Sequence, residues 1–223
     1  MVSPTFDYEK SLWSQGYDLV CGIDEAGRGP LAGPMLAAAV IFPKNFAYST
    51  YSTYQTYPSI RDSKTLSKKQ LATAAAWIYD VALGVGVGRV ENTEIDEVGL
   101  SKAEQLSFNR ALAALPRSCQ EETAKIFYLI DAFTINDVKK DVQKGIIRGD
   151  QQVFSIAAAS IIAKTERDKI MGEYHLKFPQ YGFNKHVGYG TKLHLSALAK
   201  YGPCPIHRRS FAPMKNHHLS FRA

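Results

Sequence analysis

Four carboxylates in this 223-residue sequence stand where strands end or helices begin. Asp24 and Glu25 follow the apolar run that starts at Leu19, Asp131 closes IFYLID, and Asp150 sits in IIRGDQQVF. Strands of one sheet that stop at a common edge bring their last residues together. Two carboxylates about 4 Å apart repel by roughly 4 kcal/mol at an effective dielectric near 20. A cluster of four therefore either takes up protons or holds hard cations. Oxygen-only ligands without His or Cys point to Mg²⁺ or Mn²⁺. Two such ions about 4 Å apart can activate a water and stabilise the leaving oxygen of a phosphodiester. Plainer readings stand beside this one. Asp131 can be a solvated strand end, and Asp150, on its own segment, is better placed as the N-cap of the helix that follows. The Asp24–Glu25 pair resists such a reading, because a turn built on Gly27, Gly29 and Gly33 needs no carboxylates.

That turn, in CGIDEAGRGPLAGP, is rich in glycine and carries Arg28. Its spacing is GxGxxxG, and an apolar strand follows where a dinucleotide site needs a helix. The sequence contains no GxxxxGK[ST] and no GxSxG, which removes a P-loop and a serine nucleophile elbow.

Positioning these groups requires a sheet. Leu19–Asp24 and Met35–Phe42 read as buried strands joined by a short turn, which favours antiparallel pairing. Ser67 is a ready N-cap for a helix over KKQLATAAAWIYDVAL. Gly84–Val90 alternates glycine with valine, a third strand whose glycine face admits a close neighbour. One helix is expected over Thr93–Leu115, ended by Pro116. Ile126–Asp131 reads as a strand and Gly145–Arg148 as a weaker one. Val153–Tyr174 reads as a long helix with a buried first half, and past Pro179 only loops and a short helix near Leu193–Lys200 are expected. The order predicts an α/β fold with a mixed sheet flanked by helices. The division expected is a core over residues 1–175 and a basic C-terminal helical extension over 176–223, packed on that core.

Charge is unevenly spread. Residues 1–163 hold 16 Lys/Arg against 18 Asp/Glu, whereas residues 164–223 hold 11 against 3. A basic tail on a neutral body suits either a solvated surface or a nucleic-acid partner. The start MVSPTFDYEKSLWSQ has no apolar core behind a basic segment, and Met35–Phe42 is far too short to span a bilayer. Cys21, Cys119 and Cys204 lack CxxC spacing, so a reducing cytoplasm and no membrane association are expected. Tyr48–Tyr57 (YSTYSTYQTY) reads as a surface loop, with base stacking as the alternative.

Seven blocks occur together: DEAGRGPLAGP, the DSK of Asp62–Lys64, YLID, RGD, SIAAASIIAKTERD, FPQYGFNKHVGYGT and HRRSFAPMK. In this order, from about Leu19 to Lys215, they resemble bacterial ribonuclease HII. The resemblance implies an RNase H-like fold with a C-terminal helical extension. It also implies Mg²⁺- or Mn²⁺-dependent hydrolysis of RNA paired to DNA by a monomer. Single ribonucleotides in duplex DNA would be cut on their 5′ side, leaving 3′-hydroxyl and 5′-phosphate ends. Asp24, Glu25, Asp131 and Asp150 match the family's two-ion metal site. Gly27, Arg28 and Gly29 match the element that senses the 2′-hydroxyl, and Tyr189 the tyrosine that packs on the following deoxyribose. Ser63 and Lys64 match a phosphate-contacting loop. His207, Arg208, Arg209 and Lys215 would then grip duplex backbone, adding to salt-dependent binding. Three features depart from the family pattern: the long tyrosine-rich loop, Ala132-Phe133 after Asp131, and Arg148 in place of a lysine. A type HIII or DNA-directed nuclease of the same fold, and an inactive hybrid binder, are the competing readings.

Overall fold

The computed structural model describes residues 3–44, 58–121 and 123–214. The tyrosine-rich loop, Lys215 and the residues after it lie outside the described residues. Among the described residues five strands form one sheet: β1 (Leu19–Ala26), β2 (Met35–Ile41), β3 (Gly84–Val90), β4 (Ile126–Asp131) and β5 (Gln143–Ile146). Their order is β3-β2-β1-β4-β5. The first three are antiparallel neighbours, while β4 and β5 run parallel to β1. The mixed sheet expected from the sequence is present.

Among the described residues seven α-helices surround it: α1 (Asp7–Ser14), α2 (Lys68–Val81), α3 (Asn92–Val98), α4 (Leu100–Ala113), α5 (Phe154–Lys177), α6 (Phe183–His186) and α7 (Lys192–Tyr201). One sheet face packs on α1, α2 and α5 through Val20, Val40, Leu129, Ile156 and their neighbours. The other packs on α4 through Ile23, Ala39, Phe108, Ala111 and Ile130. Strand β2, MLAAAVI, is buried along its whole length, so its alanines keep both layers close to the sheet. A third core joins Ala32 and Met171 to Tyr181, Phe183, Leu198 and Ile206. Helix α5 runs through residue 175, and Ala32 and Met171 share this core with residues from both sides of that position.

Several elements differ from expectation. The helix predicted over Thr93–Leu115 is two, broken at Gly99 (φ +81), where α3 ends and α4 starts. The weak strand lies at Gln143–Ile146, because Arg148 adopts a left-handed φ of 56° that ends extended pairing. Helix α1 was not anticipated. Its Glu9 carboxylate, almost wholly buried, accepts the Ser155 N–H at 2.8 Å and so satisfies the first turn of α5. Asp150 therefore does not cap that helix: the N-cap position is Val153, and Asp150 lies in a preceding 3₁₀ turn, Gly149–Gln151. Ser67 does cap α2, in a reciprocal capping box with Gln70.

The glycine face of β3 meets α4. A Cβ on Gly88 would stand 2.1 Å from the Ser107 carbonyl oxygen and 2.4 Å from the Ala111 nitrogen, both backbone atoms. Gly88→Ala should therefore destabilise the protein by about 2 kcal/mol, read as a lower urea midpoint. An unchanged midpoint would mean that α4 does not lie so close to β3.

Candidate active site

Sheet register brings the first two carboxylates together. Ile23 pairs with Ile130 in the parallel β1–β4 ladder, so Asp24 and Asp131 follow side by side. Both lie on the α5 face, and Glu25, one residue on, turns to the α4 face. Asp24 is buried and its Oδ1 accepts the Glu25 N–H at 2.7 Å. Asp131 Oδ1 accepts the Gly149 N–H, also at 2.7 Å, which ties the end of β4 to the turn that carries Asp150.

These groups act on one another. Burial, then Glu25 and Asp131, raise the Asp24 pKa well above the carboxylate range. Burial, then Glu104 and Asp131, push Glu25 up to about 7. Asp131 is raised by burial against the pull of the Gly149 amide and Lys64, and Asp150 by burial, Asp131 and Asp62. Burial works against the Lys64 charge, yet Asp150, Asp62, Asp24 and Asp131 outweigh it and hold its pKa up. Lys64 is thus the shared counter-charge of the acidic edge. Its backbone N–H is fixed by Asp62 Oδ1 at 2.9 Å, and Ser63 Oγ lies 3.0 Å from Ser160 Oγ on α5.

The donor set fits a hard divalent cation. Its ligands would all be oxygens, their mutual repulsion is relieved by positive charge, and Glu25 Oε2 is buried with no hydrogen-bond partner among the described residues. As they stand, no three His, Cys, Asp or Glu side chains among the described residues are grouped to hold one ion.

A cleft of about 620 Å³ joins this edge to the glycine turn. Asp24, Glu25, Asp131, Gly27, Arg28, Gly29, Ser63, Lys64 and Tyr189 all line it. Asp150, buried, does not; its charge acts on Lys64, and Asp131 acts on it. Arg28 Nε bonds Glu104 Oε1 at 2.8 Å, and the guanidinium lies 5.5 Å from the Phe133 ring centre. The apolar residue after Asp131 that departs from the family pattern is thus a platform for Arg28.

Tyr189, half exposed, forms the opposite wall, 3.8 Å from where a Cβ on Gly29 would lie. A chain of neutral imidazoles holds its backbone. The Cys204 N–H donates to His207 Nδ1 at 2.9 Å, which leaves the proton on His207 Nε2. That nitrogen lies 3.0 Å from His194 Nε2, and His194 Nδ1 lies 3.0 Å from the Tyr189 carbonyl oxygen. Burial keeps both rings below the usual histidine pKa, His207 at about 4. Among the described residues, the non-glycine residues at positive φ are Ala132, Arg148 and Val187, and all three flank this site. Such conformations cost of order 1–3 kcal/mol each and are held by their surroundings; the Val187 carbonyl is fixed by Arg167 Nη1 at 3.0 Å.

Two sequence expectations are corrected. Arg208 and His207 are not surface groups free to grip a duplex backbone: both are buried, and Arg208 donates to backbone carbonyls. Arg209 is exposed but away from the cleft, with its backbone N–H on Asp96 Oδ2 at 2.7 Å. Conversely, Ser160, Lys164 and Asp168 line the cleft without having been singled out. Their i, i+4, i+8 spacing on α5 was the available signal, and Lys164 Nζ bonds Asp168 Oδ2 at 2.8 Å. Glu104 had no such signal.

Comparison with known proteins places the chain. Residues 21–214 match the family model described as Ribonuclease HII. Ribonuclease HII of Bacillus licheniformis is 46% identical over 210 residues, covering 94% of this chain and 76% of that protein. The crystal structure of ribonuclease H2 from Pyrococcus horikoshii OT3 superposes with a TM-score of 0.69 at 23% identity, over 89% of this chain and 96% of that one. Bst-RNase HIII in complex with Mn²⁺ gives 0.66 at 19% identity, over 91% and 70%. The chain belongs to the ribonuclease HII family, whose members are metal-dependent endoribonucleases of the ribonuclease H type.

Proposed function

We propose that this protein hydrolyses the RNA strand of RNA–DNA hybrids and cuts duplex DNA 5′ of a single embedded ribonucleotide, leaving 3′-hydroxyl and 5′-phosphate ends. The observation that carries the reading is one strand and its turn serving two tasks: β1 ends in Asp24 and Glu25, and Gly27–Gly29 follow at once in the same cleft. The reaction is assigned to a two-ion site for Mg²⁺ or Mn²⁺, which Asp24, Glu25, Asp131 and Asp150 would hold. Bound there, the ions would supply an activated water and take up charge on the leaving oxygen.

The chain's own residues do the rest. Lys64 and Ser63 bring positive charge and a hydroxyl to the phosphate path. Gly27 and Gly29 let backbone approach a ribose, whose 2′-hydroxyl both donates and accepts hydrogen bonds. Tyr189 walls the cleft where the next sugar would lie. Free, buried Cys21, Cys119 and Cys204 fit a reducing cytoplasm, where a monomer would excise ribonucleotides during DNA replication and repair. No helix among the described residues is long and apolar enough to cross a membrane.

Purified protein should nick a duplex holding one ribonucleotide, stop in EDTA, and resume with Mg²⁺ or Mn²⁺. Equal cutting of an all-DNA duplex would reject ribose selectivity. Asp131→Asn should lower turnover by about a thousandfold, some 4 kcal/mol of barrier; near-normal rates would take Asp131 out of the metal site. A further test needs no substrate. With Glu25 raised from 4.5 to about 7 in the folded chain, the folded state binds the extra proton. Stability contributed by Glu25 is then present below pH 4.5 and lost as pH rises through about 7. In EDTA the melting temperature should fall across that window, Mg²⁺ or Mn²⁺ should restore it at pH 8 but not at pH 5, and Glu25→Gln should flatten the fall. A flat wild-type profile would contradict the charge repulsion.

A further inference from the structure

The glycine turn is held from the far end of the chain. Arg208, wholly buried, donates from Nε to the Gly33 carbonyl at 3.0 Å, from Nη1 to the Arg28 carbonyl at 3.0 Å, and from Nη2 to the Gly27 carbonyl at 2.6 Å. Its backbone joins in: Arg208 N–H donates to Leu31 O and Gly33 N–H to Ile206 O, each at 2.9 Å, around an antiparallel bridge between Ala32 and His207. No salt bridge among the described residues offsets the guanidinium. Burial first, and the neighbouring buried Arg167 second, push its pKa down to about 9. A buried cation without a carboxylate is costly for stability. Three carbonyls of one loop are what that charge holds.

The planarity of the peptide gives those bonds a consequence. In a trans peptide the N–H of each residue points opposite to the preceding carbonyl. With the Gly27 and Arg28 carbonyls drawn inward, the N–H groups of Arg28 and Gly29 point outward, and both residues are exposed at the cleft. Among the described residues neither N–H has an acceptor.

We propose that Arg208 is a positioning residue for sugar discrimination: by holding the Gly27 and Arg28 carbonyls it aims the Arg28 and Gly29 amides at the 2′-oxygen of a ribonucleotide. This rests on the ribose-selective reading above. A deoxyribose offers those amides no acceptor. Lysine at 208 keeps the charge but cannot span three carbonyls with a planar fork, and methionine keeps neither.

The test is the ratio of affinities for a duplex with one ribonucleotide and the same duplex in all-DNA form, measured with Ca²⁺ to limit turnover. Arg208→Lys and Arg208→Met should reduce the wild-type ratio about tenfold or more, the scale of lost charge-assisted hydrogen bonds. Ile78→Ala, a core truncation in α2, should lower the melting temperature and leave the ratio intact. A folded Arg208→Lys with an unchanged ratio overturns the proposal. A second measurement needs only wild-type protein. Amide NMR signals of Arg28 and Gly29 should exchange freely with solvent and shift with the ribonucleotide duplex but not with all-DNA. Protected amides, or equal shifts with both duplexes, overturn it whether or not the variants fold. Wild-type protein with no preference between the duplexes would instead reject the ribose reading itself.

Discussion

Parallel pairing of β1 with β4 forces Asp24 beside Asp131, and the repulsion that follows organises the site. Carboxylates in such positions destabilise a folded chain unless positive charge or protons reach them. The protein supplies the Lys64 ammonium and the Gly149 amide, and among the described residues it leaves one oxygen of Glu25 without a partner. The fold thereby holds an electrostatic demand that a divalent cation would meet. Ala132, just past β4, and Arg148, just past β5, both sit at positive φ, so backbone strain lies next to Asp131 and to the turn that carries Asp150.

Much of this was legible in the sequence because it is local. Strand β3 and strand β4 begin and end where glycine–valine alternation and apolar runs predicted. Ser67 caps the helix it precedes. Asp24, Glu25 and Asp131 could be grouped because strand ends meet at one edge, a rule that needs no knowledge of side-chain contacts. The motifs of the family then added Gly27–Gly29, Ser63, Lys64 and Tyr189, and the cleft contains them all.

What escaped was non-local. Asp150 looks like an N-cap because its segment has the right residues, yet the donor it would have satisfied is taken by Glu9, 146 positions away. Gly99 breaks a helix that apolar periodicity alone would carry through. Arg208 reads as a surface cation in a run of basic residues, and only the tertiary structure reveals that carbonyls of the glycine turn enclose it. A count of charges cannot tell a phosphate-binding arginine from a backbone-binding one, since both are cationic and both satisfy the same five donors.

The bond between Arg208 and Gly27 spans 181 residues, nearly the whole chain. In a polypeptide made from its N-terminus, the carboxylates of β1 and β4 can be in place long before the segment that shapes the neighbouring turn has been synthesised. Assembly order therefore separates the two halves of the cleft. On the reading proposed above, the edge that would cut precedes the part that would inspect the sugar, and the turn takes its final shape only when the segment around Arg208 packs back onto the end of β1.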